Sequence, residues 1–287
     1  MVPCMSKNLN SYLDSSSPFF YEKYEQDLRE FEGIPLLVRN YEQIQSYINH
    51  AKIEGKKEWY EAPQEDIWAG PYRHHLLKRK KYVEFVLAYY ATKKPIHSLL
   101  DLGCGDGANF FWLKPYAKNL YGSDYNITRL LRARQRSIAQ EVVLADVTDY
   151  GAKDESFDAI FFNHVLEHIP DDEQALREVF RILKKDGVCI LGVPNEGAFW
   201  WQMAYKFQPE SLRITDHVHF YTVKSLSKKI KKAGFTIQEI KPIGWGLPHW
   251  TLDSMVRGYK IMDDLFEFFG RIFLPRQASS LYFVIGK

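Results

Sequence analysis

An α/β fold with a mostly parallel sheet, wound by helices on both faces, is predicted by three observations. Short apolar runs recur along residues 97–242, most of them ending in a polar or acidic residue. Amphipathic helical periodicities separate these runs, so strand and helix alternate, as a parallel sheet covered on both sides requires. The first run, Leu99-Leu100-Asp101-Leu102, passes directly into Gly103-Cys104-Gly105-Asp106-Gly107. Closely spaced glycines there let backbone amides approach a ligand, and in such sheets ligands lie outside the carboxyl ends of the strands.

Residues 1–95 form an N-terminal extension, expected to be helical. Tyr-rich, charged segments near 21–31 and 41–53 read as helices, and residues 74–91 carry Leu76, Leu77, Val83, Val86 and Leu87 at helical spacing. Removal of residues 1–60 is expected to leave a folded remainder. The second unit spans 96–287. After the glycine loop come a helix over 108–116, a strand over 119–123 ending at Asp124, a helix over 128–139 and a strand over 142–145 ending at Asp146. A strand over 157–163 ends at Asn163 and is followed by a helix over 171–184, for which Asp171 and Gln174 resemble a capping box. Strands over 188–193, 236–240 and 280–285 complete the sheet, with a helix over 224–233 stopped by Gly234. Insertions at 195–221 and 243–279 carry Phe199, Trp200, Trp201, Trp245, Trp250 and a Phe-rich helix near 263–273.

Composition narrows the class. A 287-residue chain with 46% hydrophobic residues can bury a sizeable core, and a net charge of +2 singles out no polyanionic partner. Cys4, Cys104 and Cys189 are odd in number and lack metal spacing, which fits a reducing compartment; a cytoplasmic location is expected. No apolar run is long enough to span a bilayer, and residues 1–10 lack a signal-peptide core.

The glycines alone leave two ligands open. Gly103, Gly105, Ala108 and Asp124 loosely satisfy the dinucleotide pattern G-x-G-x-x-G/A with a later acidic residue. Asp101 favours the other ligand class, because a carboxylate before the first glycine repels a diphosphate and attracts a cation. With Asp101-x-Gly103-x-Gly105 in place, the sequence resembles the class I S-adenosylmethionine-dependent methyltransferases, and Leu166-Glu167-His168 resembles their small-molecule, ubiquinone-pathway-like branch. The resemblance implies a Rossmann-like, seven-stranded mixed sheet whose last strand is antiparallel, with S-adenosylmethionine as cofactor. It assigns Asp101, Gly103, Cys104 and Gly105 to the cofactor loop, Asp124 with Tyr125 to the ribose hydroxyls, and Asp146 with Val147 to adenine. Asn163 marks the fourth cofactor-facing strand end, and a lid before the first strand brings Arg73 to the methionine carboxylate.

His168 and His217 are candidate general bases, since neutral imidazole can take a hydroxyl proton; pinning the loops is the alternative role. If residues 216–221 are extended, His217 and His219 share one face. In the small-RNA 3′-end ribose methyltransferases, which the chain also resembles here, two Glu and two His hold a divalent ion. His164 stands where the first Glu would be, so no metal is expected. The expected activity is O-methylation of a small apolar or ring-bearing acceptor such as a natural product, sugar or quinone precursor. A metal-dependent RNA ribose 2′-O-methyltransferase, a non-catalytic S-adenosylmethionine-binding protein and a nicotinamide oxidoreductase are the alternatives. Nucleic acid is not the expected partner: Lys78-Arg79-Lys80-Lys81 point in four directions on a helix and read as a solvated surface. Contact of the Phe-rich helix with a membrane surface is a minor alternative.

Overall fold

The computed structural model describes residues 17–19, 29–38, 42, 45, 63, 68–211 and 216–287. Within the helix expected at 41–53 only Glu42 and Gln45 are described, both helical; most of that expected at 21–31 lies outside the described residues, as does much of the extension.

Among the described residues, nine strands form one sheet in the order β1-β2-β5-β4-β3-β6-β7-β9-β8. The strands are β1 (Arg29–Phe31), β2 (Ile34–Leu37), β3 (Ser98–Leu102), β4 (Asn119–Asp124), β5 (Glu141–Ala145), β6 (Phe157–Asn163), β7 (Leu183–Pro194), β8 (Thr236–Ile243) and β9 (Ser280–Gly286). From β5 through β3 to β7 every pairing is parallel, and β9 is antiparallel to both neighbours, β7 and β8. That last strand matches the sequence expectation. The count does not: the expected seven strands become nine, and Arg29–Phe31 is extended where a helix was expected.

The two additional strands are a hairpin. Glu32 and Gly33 have φ of 47° and 79°, the left-handed pair that a two-residue hairpin turn requires, and Phe31 faces Ile34 across it. All of β2 is buried, and Leu36 and Leu37 pair with Leu144 and Ala145 of β5 in parallel. Phe19 is 1% exposed and meets the Tyr121 ring edge-on at 5.9 Å. Residues before position 60 therefore supply a sheet edge and a core side chain, against the expectation that they are dispensable for folding.

Helices cover both faces because successive strand residues point to opposite sides. Leu100 and Leu102 pack with α4 (Asp172–Ile182) and α6 (Val223–Lys232), whereas Leu99 packs with α1 (Arg73–Lys93) and α3 (Ile127–Gln135). Between β3 and β4 the helix is brief, α2 (Phe110–Leu113), and Pro115 follows in a 3-10 turn. The caps are local: Asn126 accepts from the Thr128 and Arg129 amides, and the Asp171 side chain accepts from the Gln174 amide at 2.9 Å. Pro194 and Ile243 both face Ser280, so the segments leaving β7 and β8 emerge at the same carboxyl edge. They carry α5 (Phe199–Phe207), α7 (Trp250–Arg257) and α8 (Lys260–Phe273).

Candidate active site

The strand ends converge on a cradle at that edge. Gly103 and Gly105 have φ of 78° and 53°; a Cβ on Gly103 would sit 2.2 Å from Val165, so glycine is required there by both conformation and space. Asp124, at the end of β4, accepts from the Gly105 amide at 2.9 Å and the Asn126 amide at 2.9 Å, which clamps the loop to the strand. Burial raises its carboxyl, and the two amides oppose the rise. Tyr125 beside it is half-buried. Cys104 is buried and packs inside the loop, where burial raises its thiol well above the usual range. Asp146 caps the turn after β5 by accepting from Thr148 N at 2.8 Å and Thr148 Oγ1 at 2.7 Å, with half-buried Val147 beside it. Asn163, ending β6, accepts from the Tyr282 hydroxyl at 2.8 Å.

Asp101 is the anomaly in the cradle. It is 2% exposed, Oδ2 has no hydrogen-bond partner, and burial pushes the carboxyl up to about 8, with the Asp124 charge adding and Asn109 opposing. A buried carboxyl with an orphaned oxygen suits a cationic ligand such as the ammonium of S-adenosylmethionine.

A second polar cluster follows β6. A 3-10 turn over Leu166–His168 presents Glu167 and His168, and the amides of Val218 and His219 both donate to the Glu167 carbonyl, at 2.9 and 3.2 Å. This brings the 216–221 strand-like segment onto the turn and sets the His168 and His217 rings 4.7 Å apart. One ligand-type atom each from Glu167, His168 and His217 lies within 4.8 Å of the others. His217 Nδ1 donates to Glu196 Oε2 at 2.6 Å, so its Nε2 is the basic nitrogen. Burial lowers His217, but Glu196 more than offsets this and leaves it above its usual value. His168 donates Nδ1–H to the Asp216 carbonyl at 3.3 Å and is lowered by burial, against the pull of Glu167. His219 does not share the face of His217: its Nε2 meets the Ile169 and Pro170 carbonyls at 3.0 and 3.1 Å and pins the loop.

Four members of the cluster escaped the sequence-based site assignment. Glu167 is fully buried with neither carboxylate oxygen hydrogen-bonded; burial raises it, while His164, His168 and His217 more than compensate and hold it low. His164 takes φ of 54°, unusual for a residue with a Cβ, and places Nδ1 3.4 Å from Glu167 Oε1. Arg79 Nη1 donates to His164 Nε2 at 2.9 Å, which leaves the His164 proton on Nδ1, facing Glu167. The Arg79 fork also reaches the Ser280 hydroxyl. Glu196, just after β7, completes the set and accepts from Tyr205 as well as His217.

The basic run reads as a solvated surface only at the exposed Lys81. Lys78 bridges Asp263 and Asp264, Arg79 turns inward, and Lys80 lies over the Trp68 and Phe111 rings. Arg73 spends its guanidinium on the carbonyls of Gly258 and Gly70, at 2.8 and 3.4 Å. The insertion tryptophans pack the insertions together: Trp201 stacks on Trp250 at 5.3 Å, and Trp200 and Trp245 donate to the Gly246 and Leu274 carbonyls.

Residues 100–191 match a family model described as a methyltransferase domain. That stretch is a class I S-adenosylmethionine-dependent methyltransferase domain. S-adenosylmethionine is the cofactor of this family, and residues 100–191 include Asp101 and the glycine loop. A protein described as "Probable S-adenosylmethionine-dependent methyltransferase" from Mycolicibacterium smegmatis is 24% identical over 156 residues, 54% of this chain and 58% of that protein. The trans-aconitate 2-methyltransferase of Variovorax paradoxus is 33% identical over 103 residues, 34% of this chain and 38% of its own. The chain thus spans about half the length of the curated relatives it matches. A solved structure described as a "putative sarcosine dimethylglycine methyltransferase" from Galdieria sulphuraria has TM-score 0.53 at 17% identity, covering 73% of this chain and 85% of that one. At that identity the likeness speaks for the fold alone.

Proposed function

We propose that the protein transfers a methyl group from S-adenosylmethionine to a hydroxyl oxygen of a small-molecule acceptor, with His217 as general base. When bound, the cofactor supplies an electrophilic methyl on a sulfonium. Asp101 would hold the cationic end, by the charge argument above, and, as the family resemblance assigns them, Asp124 and Tyr125 would hold the ribose, Asp146 and Val147 the adenine, and the Gly103–Gly105 loop would complete the cofactor site. His217 Nε2 would take the proton of the acceptor hydroxyl as its oxygen is methylated. Glu196, at 2.6 Å from Nδ1, fixes the tautomer and stabilises the imidazolium that forms. This buttressed imidazole beside the β6 end is the observation that carries the reading. Much of the remaining rate comes from alignment and exclusion of water.

The test uses tritiated S-adenosylmethionine and a small-molecule extract of the source cells. A labelled, alkali-stable ether product is expected with wild type. His217→Gln is expected to lower the rate about 10²-fold with cofactor affinity unchanged. Full activity of His217→Gln, or a labelled amine or nucleic acid as the product, refutes the reading.

One observation favours a second reading of the same cluster. Glu167 is buried with Oε2 unbonded and Oε1 facing only His164 Nδ1 at 3.4 Å, and with His168 and His217 it forms a donor set that suits a divalent cation such as Mn²⁺ or Mg²⁺. Glu167, His168 and His217 would hold it, with Glu196 orienting His217 from behind. A bound cation would supply Lewis acidity toward the acceptor oxygen. In that case a chelator abolishes turnover and Mn²⁺ restores it; indifference to chelator leaves the general-base reading.

A further inference from the structure

The main chain around Glu196 is pinned on both sides. Where β7 ends at Pro194, the Asn195 side-chain amide donates to the Arg276 and Ala278 carbonyls at 3.0 and 2.8 Å. The Gln202 side chain donates to the Glu196 carbonyl at 2.6 Å, and the Gly197 amide donates to the Tyr221 carbonyl at 2.9 Å. A Cβ on Gly197 would lie 2.7 Å from the Phe220 carbonyl oxygen, so the two ends of the 195–221 insertion close tightly on each other here. With the backbone held, only the side-chain torsions of Glu196 remain to be set. Its Oε2 takes His217 Nδ1–H at 2.6 Å. One hydrogen bond leaves a carboxylate able to turn about its terminal torsion, whereas a second, on the other oxygen, stops it. Tyr205 supplies the second, because its hydroxyl donates to Glu196 Oε1.

The Tyr205 ring is itself locked. On α5 it follows Trp201 by one helical turn, and both rings turn inward, 4% and 1% exposed. Phe220 meets the Tyr205 ring edge-on at 5.8 Å, Trp250 of α7 lies against it at 5.9 Å, and Trp201 stacks on Trp250 in turn. Residues of both insertions therefore box one tyrosine. A buried tyrosine hydroxyl requires a partner, and here the partner is a carboxylate, 6% exposed, whose other oxygen serves the candidate base. We infer that Tyr205 is a positioning residue for His217: it fixes the Glu196 carboxylate, Glu196 fixes the His217 proton on Nδ1, and Nε2 is kept unprotonated for the ligand. The inference rests on the general-base reading of His217, although a cation held by the same cluster would need the same nitrogen free.

Tyr205→Phe tests it by removing the hydroxyl and keeping the ring, and circular dichroism establishes that the variant folds. With tritiated S-adenosylmethionine and the extract, kcat is expected to fall about tenfold while the Michaelis constant for the cofactor stays unchanged. In a Glu196→Gln background the same substitution should cost about twofold or less, since the route through Glu196 is already broken. Wild-type kcat in Tyr205→Phe, or an equal loss in both backgrounds, overturns the inference. A second measurement needs no turnover. The His217 Nδ1–H proton, identified by its disappearance in His217→Gln, should give a downfield nuclear magnetic resonance signal in wild type and exchange with water faster in Tyr205→Phe. Equal exchange overturns the inference. Faster exchange in a protein that methylates nothing in the extract supports the role of Tyr205 and overturns the methyl-transfer reading instead.

Discussion

Replacing Asp101 by Asn separates what the cofactor gains from what the empty fold loses. Burial raises this carboxyl from 3.8 to about 8 in the cofactor-free protein. Between those values the unfolded chain has released its proton and the folded chain has not, so stability falls as pH rises and levels off above about 8. At roughly 1.4 kcal/mol per pH unit, the full penalty is on the order of 6 kcal/mol, an upper bound for the site. Asparagine carries no such penalty. Asp101→Asn should therefore melt higher than wild type at pH 8 to 9, and the gap should close toward about pH 4. Cofactor binding reverses the preference, because an ammonium favours the ionised carboxylate. Wild type should release close to one proton per S-adenosylmethionine at about pH 7, declining toward zero near pH 10. Titration calorimetry in two buffers of different ionisation enthalpy reads that release. Asp101→Asn should bind about tenfold or more weakly, having lost a charge-assisted bond, and the Asp101 proton should vanish from the balance. A variant that binds as tightly as wild type and releases the same proton would refute the placement of the cationic end at Asp101.

Three further outcomes follow from the same geometry. Asp124→Ala should weaken S-adenosylmethionine binding by about 1 to 3 kcal/mol, read by calorimetry, because it removes an acceptor and frees the Gly105 loop. Arg79→Met should leave cofactor affinity unchanged but slow turnover about tenfold or more, with Arg79→Lys restoring only part, since one ammonium cannot serve His164 and Ser280 as the fork does; equal rates would mean that His164 needs no orientation. Phe19→Ala should lower unfolding free energy by about 3 kcal/mol or more in urea melts, and removal of residues 1–60 by more still, because β2 goes with it.

The sequence makes the cofactor edge legible because a parallel sheet buries its strands on both faces. Each apolar run must end where the chain leaves the sheet, so the polar residues that close those runs, Asp124, Asp146 and Asn163, mark the ligand edge. The N-terminal hairpin hides because three- and four-residue strands carry too little pattern, and because Glu32 takes a left-handed conformation that its side chain does not announce. The histidines are legible as chemistry but not as neighbours. Alternation within residues 216–221 pairs His217 with His219, whereas two amides donating to the Glu167 carbonyl pair it with His168. That contact belongs to the packing of two loops distant in sequence.

Arg79 and α8 show where a periodic pattern stops being informative. In α1 the buried His75, Tyr82, Val83 and Val86 recur with helical spacing, and Arg79 falls on the same stripe. Of four consecutive cations, the one in register with the apolar face is the one that turns inward to His164, and the sequence carries that signal once the register is applied. In α8 the stripe is just as clear, but a stripe defines two faces without saying which is inward. The decision rests with partners elsewhere in the chain: the buried Arg257 draws Asp263 in, and the Gly244 amide and Arg271 hold Glu267. Because those buried charges would be left uncompensated if the helix rotated, the polar face stays inside and the phenylalanines are forced out.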